Sequence, residues 1–421
     1  MNSYMKIIFL LAINACVLNA KSSPLLLISM DGFQAAKLHQ FMNENPSSNF
    51  TQFYNKSLGA DYMNPSEPSI TFPNHLTLVT GLYPESHGII NNVIYDPNFD
   101  QKVKLAQSQD LKWWNLSEPI WYTAKKQGLK TGSSFWISNN VWPRQPDVFL
   151  SYNPNYDSFD RVDEIINWYR KFDLDFLCVY FDEPDSTGHK YGPDSKEYME
   201  KIGYMDSVFG YLLKRLDDIG LFQKLNIILV SDHGMANFAP NHYVFIKDYV
   251  NTDLIDMDKS VFHVVSNIFP KSDDKLNELY EQMKKLPNMK SYKKSEIPKE
   301  LNYSKSDRIG DIVSFSNEGY KLMDQVSTDN NRGAHGYASN LTSMRAIFMA
   351  HGPNIKPGRI EGFRNVNVYP LMCSLMNINC NPNNGSIAIF EPYIEKNSTN
   401  YKNESKLYVI LAFLMAKLKI F

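Results

Sequence analysis

Three apolar runs in the chain each end in acid, and no other feature constrains the fold as tightly. Pro24-Leu-Leu-Leu-Ile-Ser-Met30 leads into Asp31-Gly32. Phe176-Leu-Cys-Val-Tyr-Phe181 leads into Asp182-Glu-Pro-Asp185, and Leu225-Asn-Ile-Ile-Leu-Val230 leads into Ser231-Asp232-His233-Gly234. Short runs rich in branched and aromatic residues, closed by turn formers, read as buried strands. Helical patterns lie between them, as over residues 195–218. Strands alternating with helices predict an α/β fold, a mostly parallel sheet sandwiched by helices. Ligands bind such sheets at the carboxyl ends of the strands, where these acids stand.

Texture divides the rest of the chain. From about 245 to 320 lysine and acidic residues rise, which predicts a smaller lobe inserted in the main domain. Within it, residues 271–294 read as an exposed helix plus linker. Ala346-Ile-Phe-Met-Ala350 reads as a return to the main sheet. Residues 1–20 read as a signal peptide: Lys6 precedes an apolar run from Ile7 to Val17, and Ala20 offers a small residue for cleavage. Residues 21–392 then form the catalytic domain. Residues 393–421 form a polar stalk and a hydrophobic tail, shorter than the roughly 20 apolar residues of a spanning helix. The tail predicts membrane attachment of some kind, such as a lipid-anchor signal, with a packed terminal helix as the alternative.

Sequons at Asn49, Asn55, Asn115, Asn302, Asn340, Asn384, Asn397 and Asn403 fit an exported chain. Beyond the leader three cysteines remain, Cys178, Cys373 and Cys380. Cys178 sits in an apolar run, Cys373 and Cys380 could bridge, and a zinc site built from cysteine is excluded by number. Net charge is -2, so no broad basic field attracts nucleic acid, and affinity for phosphate must be built locally.

Four short segments carry metal-ligand types: Asp31-Gly32, Asp185-Ser-Thr-Gly-His189, Asp232-His233-Gly234 and Gly333-Ala-His335-Gly336. Together they offer three carboxylates and three imidazoles. Two tetrahedral zinc ions, each with three protein ligands and an open position, need that many groups. A fifth segment, Thr71-Phe72-Pro73-Asn74-His75, reads as a helix start with Thr71 just ahead of it. Thr71 could simply cap the helix. Beside a metal its hydroxyl would instead serve as a nucleophile towards a phosphate drawn to the helix N-terminus.

These segments, with Gly81-Leu-Tyr-Pro-Glu-Ser-His-Gly88 and Gly333-Ala-His-Gly-Tyr337, resemble the ectonucleotide pyrophosphatase/phosphodiesterase family from about Leu25 to Gly385. The resemblance implies an alkaline-phosphatase-like fold and two zinc ions. Asp185, His189 and His335 would hold one. Asp31, Asp232 and His233 would hold the other, with Thr71 as nucleophile and further ligand. Asn92 would contact the phosphate oxygen, and Phe72 and Tyr152 would sandwich a nucleobase. The expected reaction releases a nucleoside 5′-monophosphate from a phosphodiester or pyrophosphate, outside the cell. The chain is similar to short, membrane-anchored members, and lacks their larger relatives' Cys-rich and nuclease-like modules. Two alternatives stay open: a choline-lipid phosphodiesterase on the same scaffold, and a catalytically silent cell-surface binding protein. His75, His87 and His351 are expected to tie loops together. Trp113, Trp114, Trp121 and Trp136 are expected to pack, and the lysine pairs 284–285 and 293–294 to be solvated.

Overall fold

The computed structural model describes residues 23–239, 241–325 and 330–395. The expected leader and most of the expected tail lie outside the described residues. The eight strands of the central sheet are β1 (Leu25–Met30), β2 (Leu58–Ala60), β3 (Thr131–Ser134), β4 (Val148–Leu150), β5 (Phe176–Phe181), β6 (Asn226–Val230), β7 (Phe348–His351) and β8 (Gly358–Ile360). Their order is β8-β2-β7-β6-β1-β5-β3-β4. Only β7 runs against its neighbours, β2 and β6; the other adjacent pairs are parallel.

The central strands read as continuous apolar runs because the sheet is covered on both faces. Leu25, Leu27, Phe176, Cys178, Ile228 and Val230 enter one core, under helices that include α3 (Thr71–Thr80) and α7 (Val368–Met376). Leu26, Ile28, Leu177, Val179, Ile227 and Leu229 enter the other. That second face is covered by α1 (Ala35–Glu44), α2 (Asn49–Asn55), α4 (Ser158–Lys171) and α6 (Lys196–Asp218). The α6 stripe Tyr198, Ile202, Met205, Phe209, Leu212 and Leu216 is buried, the spacing a core-facing helix requires.

Register decides where the chemistry lands. Met30 pairs with Phe181, and Ser29 pairs with Val230. β1, β5 and β6 therefore end level, and the acids that follow them emerge at one edge of the sheet. A further helix, α5 (Asp185–Tyr191), starts directly after β5 and brings Asp185 to that edge.

Between β6 and β7 the chain builds a separate three-stranded antiparallel sheet, with Ile312–Ser316 between Val265–Ile268 and Met289–Lys293. One side packs with the helix Leu276–Met283 in a cluster that includes Ile268, Leu279, Met283 and Leu322. Val265, Val313 and Tyr303 join the main core instead. Residues 289–293, expected within a linker, are an edge strand. The cause is pairing with Ile312–Ser316 together with the packing of Met289 and Tyr292 on apolar neighbours. Cys373 and Cys380 form a disulfide, and Cys178 is a buried free thiol.

Arg308 locks this small sheet to the main body. Its guanidinium is buried, donates to Asp96 Oδ2 at 2.7 Å, and donates to the carbonyls of Gly88 and Trp113. Removing one partner of such a pair strands a buried charge. Arg308→Met is therefore expected to cost about 3–5 kcal/mol of stability, measurable by denaturant unfolding; a loss under about 1 kcal/mol would show the pair to be dispensable.

Candidate active site

Every carboxylate and imidazole singled out at the strand ends converges here. Asp185, His189 and His335 form one group and Asp31, Asp232 and His233 a second; within each, the ligand-type atoms lie within 4.8 Å of one another. His189 Nε2 is 3.1 Å from His335 Nε2 and 3.4 Å from Asp185 Oδ2, and His335 Nε2 is 3.7 Å from Asp185 Oδ1. In the second group His233 Nε2 is 3.0 Å from Asp232 Oδ2 and 3.6 Å from Asp31 Oδ1. Two ligands at zinc's usual 2.0–2.1 Å and a tetrahedral angle stand about 3.3 Å apart, so these separations fit. The His233 and His335 rings stack at 3.7 Å and join the two groups.

The histidines are oriented from behind. Nδ1 of His189 meets the Gly333 carbonyl at 3.0 Å, Nδ1 of His335 meets Ser69 at 2.9 Å, and Nδ1 of His233 meets Gly234 at 2.8 Å. A carbonyl can only accept, so each Nδ1 donates and each Nε2 faces inward, the orientation of a metal ligand. The carboxylates are handled alike. Tyr180 donates its hydroxyl to Asp31 Oδ2 at 2.7 Å, and the Gly32 amide donates to Asp232 Oδ1 at 3.1 Å. Gly32 has φ +64°, and a Cβ there would sit 2.8 Å from Asp185. Glycine thus permits both the turn and the close approach of α5.

Three carboxylate oxygens are left over. Asp31 Oδ1, Asp185 Oδ1 and Asp232 Oδ2 are buried without hydrogen-bond partners. Burial, with Asp232 and Asp185 close by, pushes Asp31 well above the usual carboxylate range, and burial raises Asp185 too. Burial alone would raise Asp232, but His233 and His75 hold it below that range. Burial, then the neighbouring His233 and His189, drives His335 well below an ordinary imidazole. Orphaned carboxylate oxygens facing imidazole nitrogens fit a pair of divalent cations.

Thr71 does not cap its helix. Ile70 occupies the capping position, Thr71 is the first helical residue, and its Oγ1 lies 3.3 Å from His233 Nε2. The Phe72 amide donates to Asn92 Oδ1 at 3.0 Å. One donor of the helix start is thereby used internally, and the Asn92 side-chain NH₂ is left for the cavity. That cavity has a volume of about 450 Å³, and Thr71, Phe72, Asn92, Tyr152, Asp31 and Asp185 all line it. Trp114 and Trp136, expected only to pack, also line it. Both are largely buried, and their ring nitrogens donate to the carbonyls of Ser108 and His75.

Two participants were missed in the sequence. Tyr180 holds Asp31 because β5 register sets it level with Ser29, and register cannot be read from one strand. His75 does tie the backbone, with Nδ1 at 2.9 Å from the Thr71 carbonyl, but it also lies 3.4 Å from Asp232 Oδ2. Its i+4 spacing from Thr71 on one helix face was the available signal. His87 bonds the Thr77 hydroxyl, and His351 bonds the Lys56 carbonyl away from the site.

The sequence profile of the type I phosphodiesterase/nucleotide pyrophosphatase family matches residues 25–338. Rat ectonucleotide pyrophosphatase/phosphodiesterase family member 7 is 33% identical over 94% of this chain and 93% of its own length. A Xenopus laevis bis(5′-adenosyl)-triphosphatase is 33% identical over 90% of this chain and 85% of its own. The solved structure of an inactive murine ectonucleotide pyrophosphatase/phosphodiesterase 5 in complex with AMP superposes with a TM-score of 0.83. It is 32% identical and covers 89% of this chain and 100% of that one.

Two outcomes follow from the geometry. Metal-free protein should take up two zinc ions per chain and melt higher once loaded, and His335→Ala should take up one. Elemental analysis and thermal melts read both, and undiminished uptake by the variant would count against the ligand set. Glu67 generates the second. It is buried and accepts the Ser339 amide at 2.6 Å, stitching the 66–70 loop to the loop that carries His335. Burial raises its pKa from 4.5 to about 7. A raised carboxyl pKa gives stability present below the unfolded value and lost as pH climbs through the folded one. The wild type should therefore lose stability between pH 4.5 and about 7, and Glu67→Gln should flatten that slope in urea titrations across pH.

Proposed function

The chain belongs to the type I phosphodiesterase/nucleotide pyrophosphatase family, and from that premise we propose that it cleaves nucleotide phosphodiester or pyrophosphate bonds to release nucleoside 5′-monophosphates. It is a hydrolase of alkaline-phosphatase-like fold. The observation that carries the proposal is the Thr71 hydroxyl, 3.3 Å from His233, at the junction of the metal-ligand groups and an aromatic-walled cavity.

Thr71 Oγ1 attacks the phosphorus next to the nucleoside. The hydroxyl gives up its proton as the Thr71–phosphorus bond forms, the leaving oxygen departs with the bonding pair and takes up a proton, and a nucleotidyl-threonine remains. Water then cleaves that ester, frees the 5′-monophosphate and regenerates the hydroxyl. Asn92, its carbonyl fixed by the Phe72 amide, offers its NH₂ to a non-bridging phosphate oxygen. Tyr180 and the Gly32 amide hold Asp31 and Asp232 so that these carboxylates need not reorganise during the reaction. Phe72 and Tyr152 offer ring faces to a base; stacking tolerates any base because each has a π face. Zinc ions held by Asp185, His189 and His335 and by Asp31, Asp232 and His233, the latter beside Thr71, would lower the hydroxyl pKa and orient phosphate.

The AMP bound by the murine relative supports a nucleotide as substrate. The Cys373–Cys380 disulfide supports an oxidising compartment. Sequon residues Asn55, Asn115, Asn340 and Asn384 are exposed, which supports a glycosylated, exported enzyme, secreted or anchored through its tail at the extracellular face of the plasma membrane. Among the described residues no helix is long and apolar enough to cross a membrane.

Turnover of a nucleoside 5′-monophosphate p-nitrophenyl ester should exceed that of p-nitrophenyl phosphocholine. The reverse order would favour a choline-lipid enzyme. Thr71→Ala should lower kcat on the order of 10³-fold or more while AMP still binds by calorimetry. Chelation should abolish the activity and zinc restore it. Wild-type protein without turnover on either ester would point to a silent binding protein.

A further inference from the structure

Arg161 is a buried cation that the proposed reaction does not use. It projects from α4 with 2% of its surface exposed and belongs to neither metal-ligand group. Arginine stays charged in proteins, so a well-packed apolar side chain would be the cheaper occupant of this position. Its surroundings suggest what the charge is for. Nη1 donates to the Tyr180 carbonyl at 2.7 Å, and Nη2 donates to the Tyr156 carbonyl at 3.2 Å. The guanidinium lies 4.1 Å from the centre of the Phe135 ring and 4.8 Å from that of Phe181. Asp182 Oδ1 is 4.0 Å from Nη2.

These neighbours converge on one side chain. Tyr152 is 51% exposed and, alone at a loop, would sample several rotamers. Its hydroxyl donates to Asp182 Oδ2 at 3.2 Å. Its ring stands edge-on to Phe135 at 5.5 Å and to Tyr180 at 6.0 Å. Each of these three supports touches Arg161. Phe135 also carries backbone strain, with φ +63°, a region costly for an aromatic residue. A guanidinium over its ring favours that conformation. Phe135, Tyr152, Tyr180 and Asp182 all line the cavity.

We infer that Arg161 is a positioning residue for base recognition: acting through Phe135, Tyr180 and Asp182, it fixes the Tyr152 ring as one wall of the nucleobase pocket. The inference rests on the nucleotide reading of that cavity. A guanidinium is required, because its rigid fork reaches two carbonyls while its carbon sits over the Phe135 ring, which a single ammonium point charge does not reproduce.

The test compares kcat/KM for the p-nitrophenyl ester of a nucleoside 5′-monophosphate with that for bis(p-nitrophenyl) phosphate, which has no base. Wild type should prefer the nucleotide ester; equal values would sink the nucleotide reading itself. In Arg161→Met and Arg161→Lys the preference should fall by up to about tenfold, the share one ordered aromatic contact can carry, with the change chiefly in KM for the nucleotide ester. Zinc content and thermal melts confirm that each variant is folded. A folded variant that keeps the wild-type preference, or loses both substrates in equal proportion, overturns the inference. If neither variant folds, Asp182→Asn reads the same ratio from the other end of the network, where an unchanged preference is equally fatal.

Discussion

Three aspartates are forced into one water-poor corner by the ends of adjacent strands, and the rest of the site is arranged around that unfavourable fact. β1, β5 and β6 are interior strands in level register, so Asp31, Asp185 and Asp232 cannot separate without dismantling the sheet. Three of their oxygens have no hydrogen-bond partner. Buried uncompensated charge of this kind costs several kcal/mol per ion, and a fold tolerates it only where something positive binds. The imidazoles turn their Nε2 atoms to this corner, since carbonyls behind them engage each Nδ1.

The same economy extends outward. Some of these side chains are held by groups from another element: Tyr180 from β5 holds Asp31 from β1, and Ser69 from the loop before α3 holds His335. Thr71 is placed by α3, whose His75 reaches back to both the Thr71 carbonyl and the Ser29 hydroxyl of β1. Thr71, the neighbouring carboxylates and imidazoles, and the sheet edge are therefore one mechanical unit. The aromatic cavity is a second unit, ordered around Arg161, and it shares Tyr180 with the first. That shared residue joins the part of the site proposed to handle phosphate to the part proposed to handle the base.

Much of this was legible in the sequence, for physical reasons. Buried parallel strands must be continuously apolar, so β1, β5 and β6 announced themselves, and the residues after them had to lie at one edge. The candidate metal-binding groups followed because metal-ligand types beside turn formers recurred at those points. Geometry that depends on register or on distant chain segments was not legible. Tyr180 reads as one more apolar strand residue until β5 is aligned with β1. Trp114 and Trp136 have the composition of core residues, and only the packing reveals that each also faces the cavity. Arg161 lies in an amphipathic helix where an arginine is ordinarily solvated, and nothing local marks it as buried. The strand Met289–Lys293 was masked by its lysines, because an edge strand needs only one covered side and tolerates charge on the other.

The central claim is that two metal ions occupy the two groups of side chains at the sheet edge. Anomalous diffraction at the zinc absorption edge, from crystals of protein purified without added metal, tests it most directly. Two peaks are expected, one enclosed by Asp185, His189 and His335 and one by Asp31, Asp232 and His233, the latter within reach of Thr71. A single peak, none, or peaks coordinated by other side chains would contradict the account.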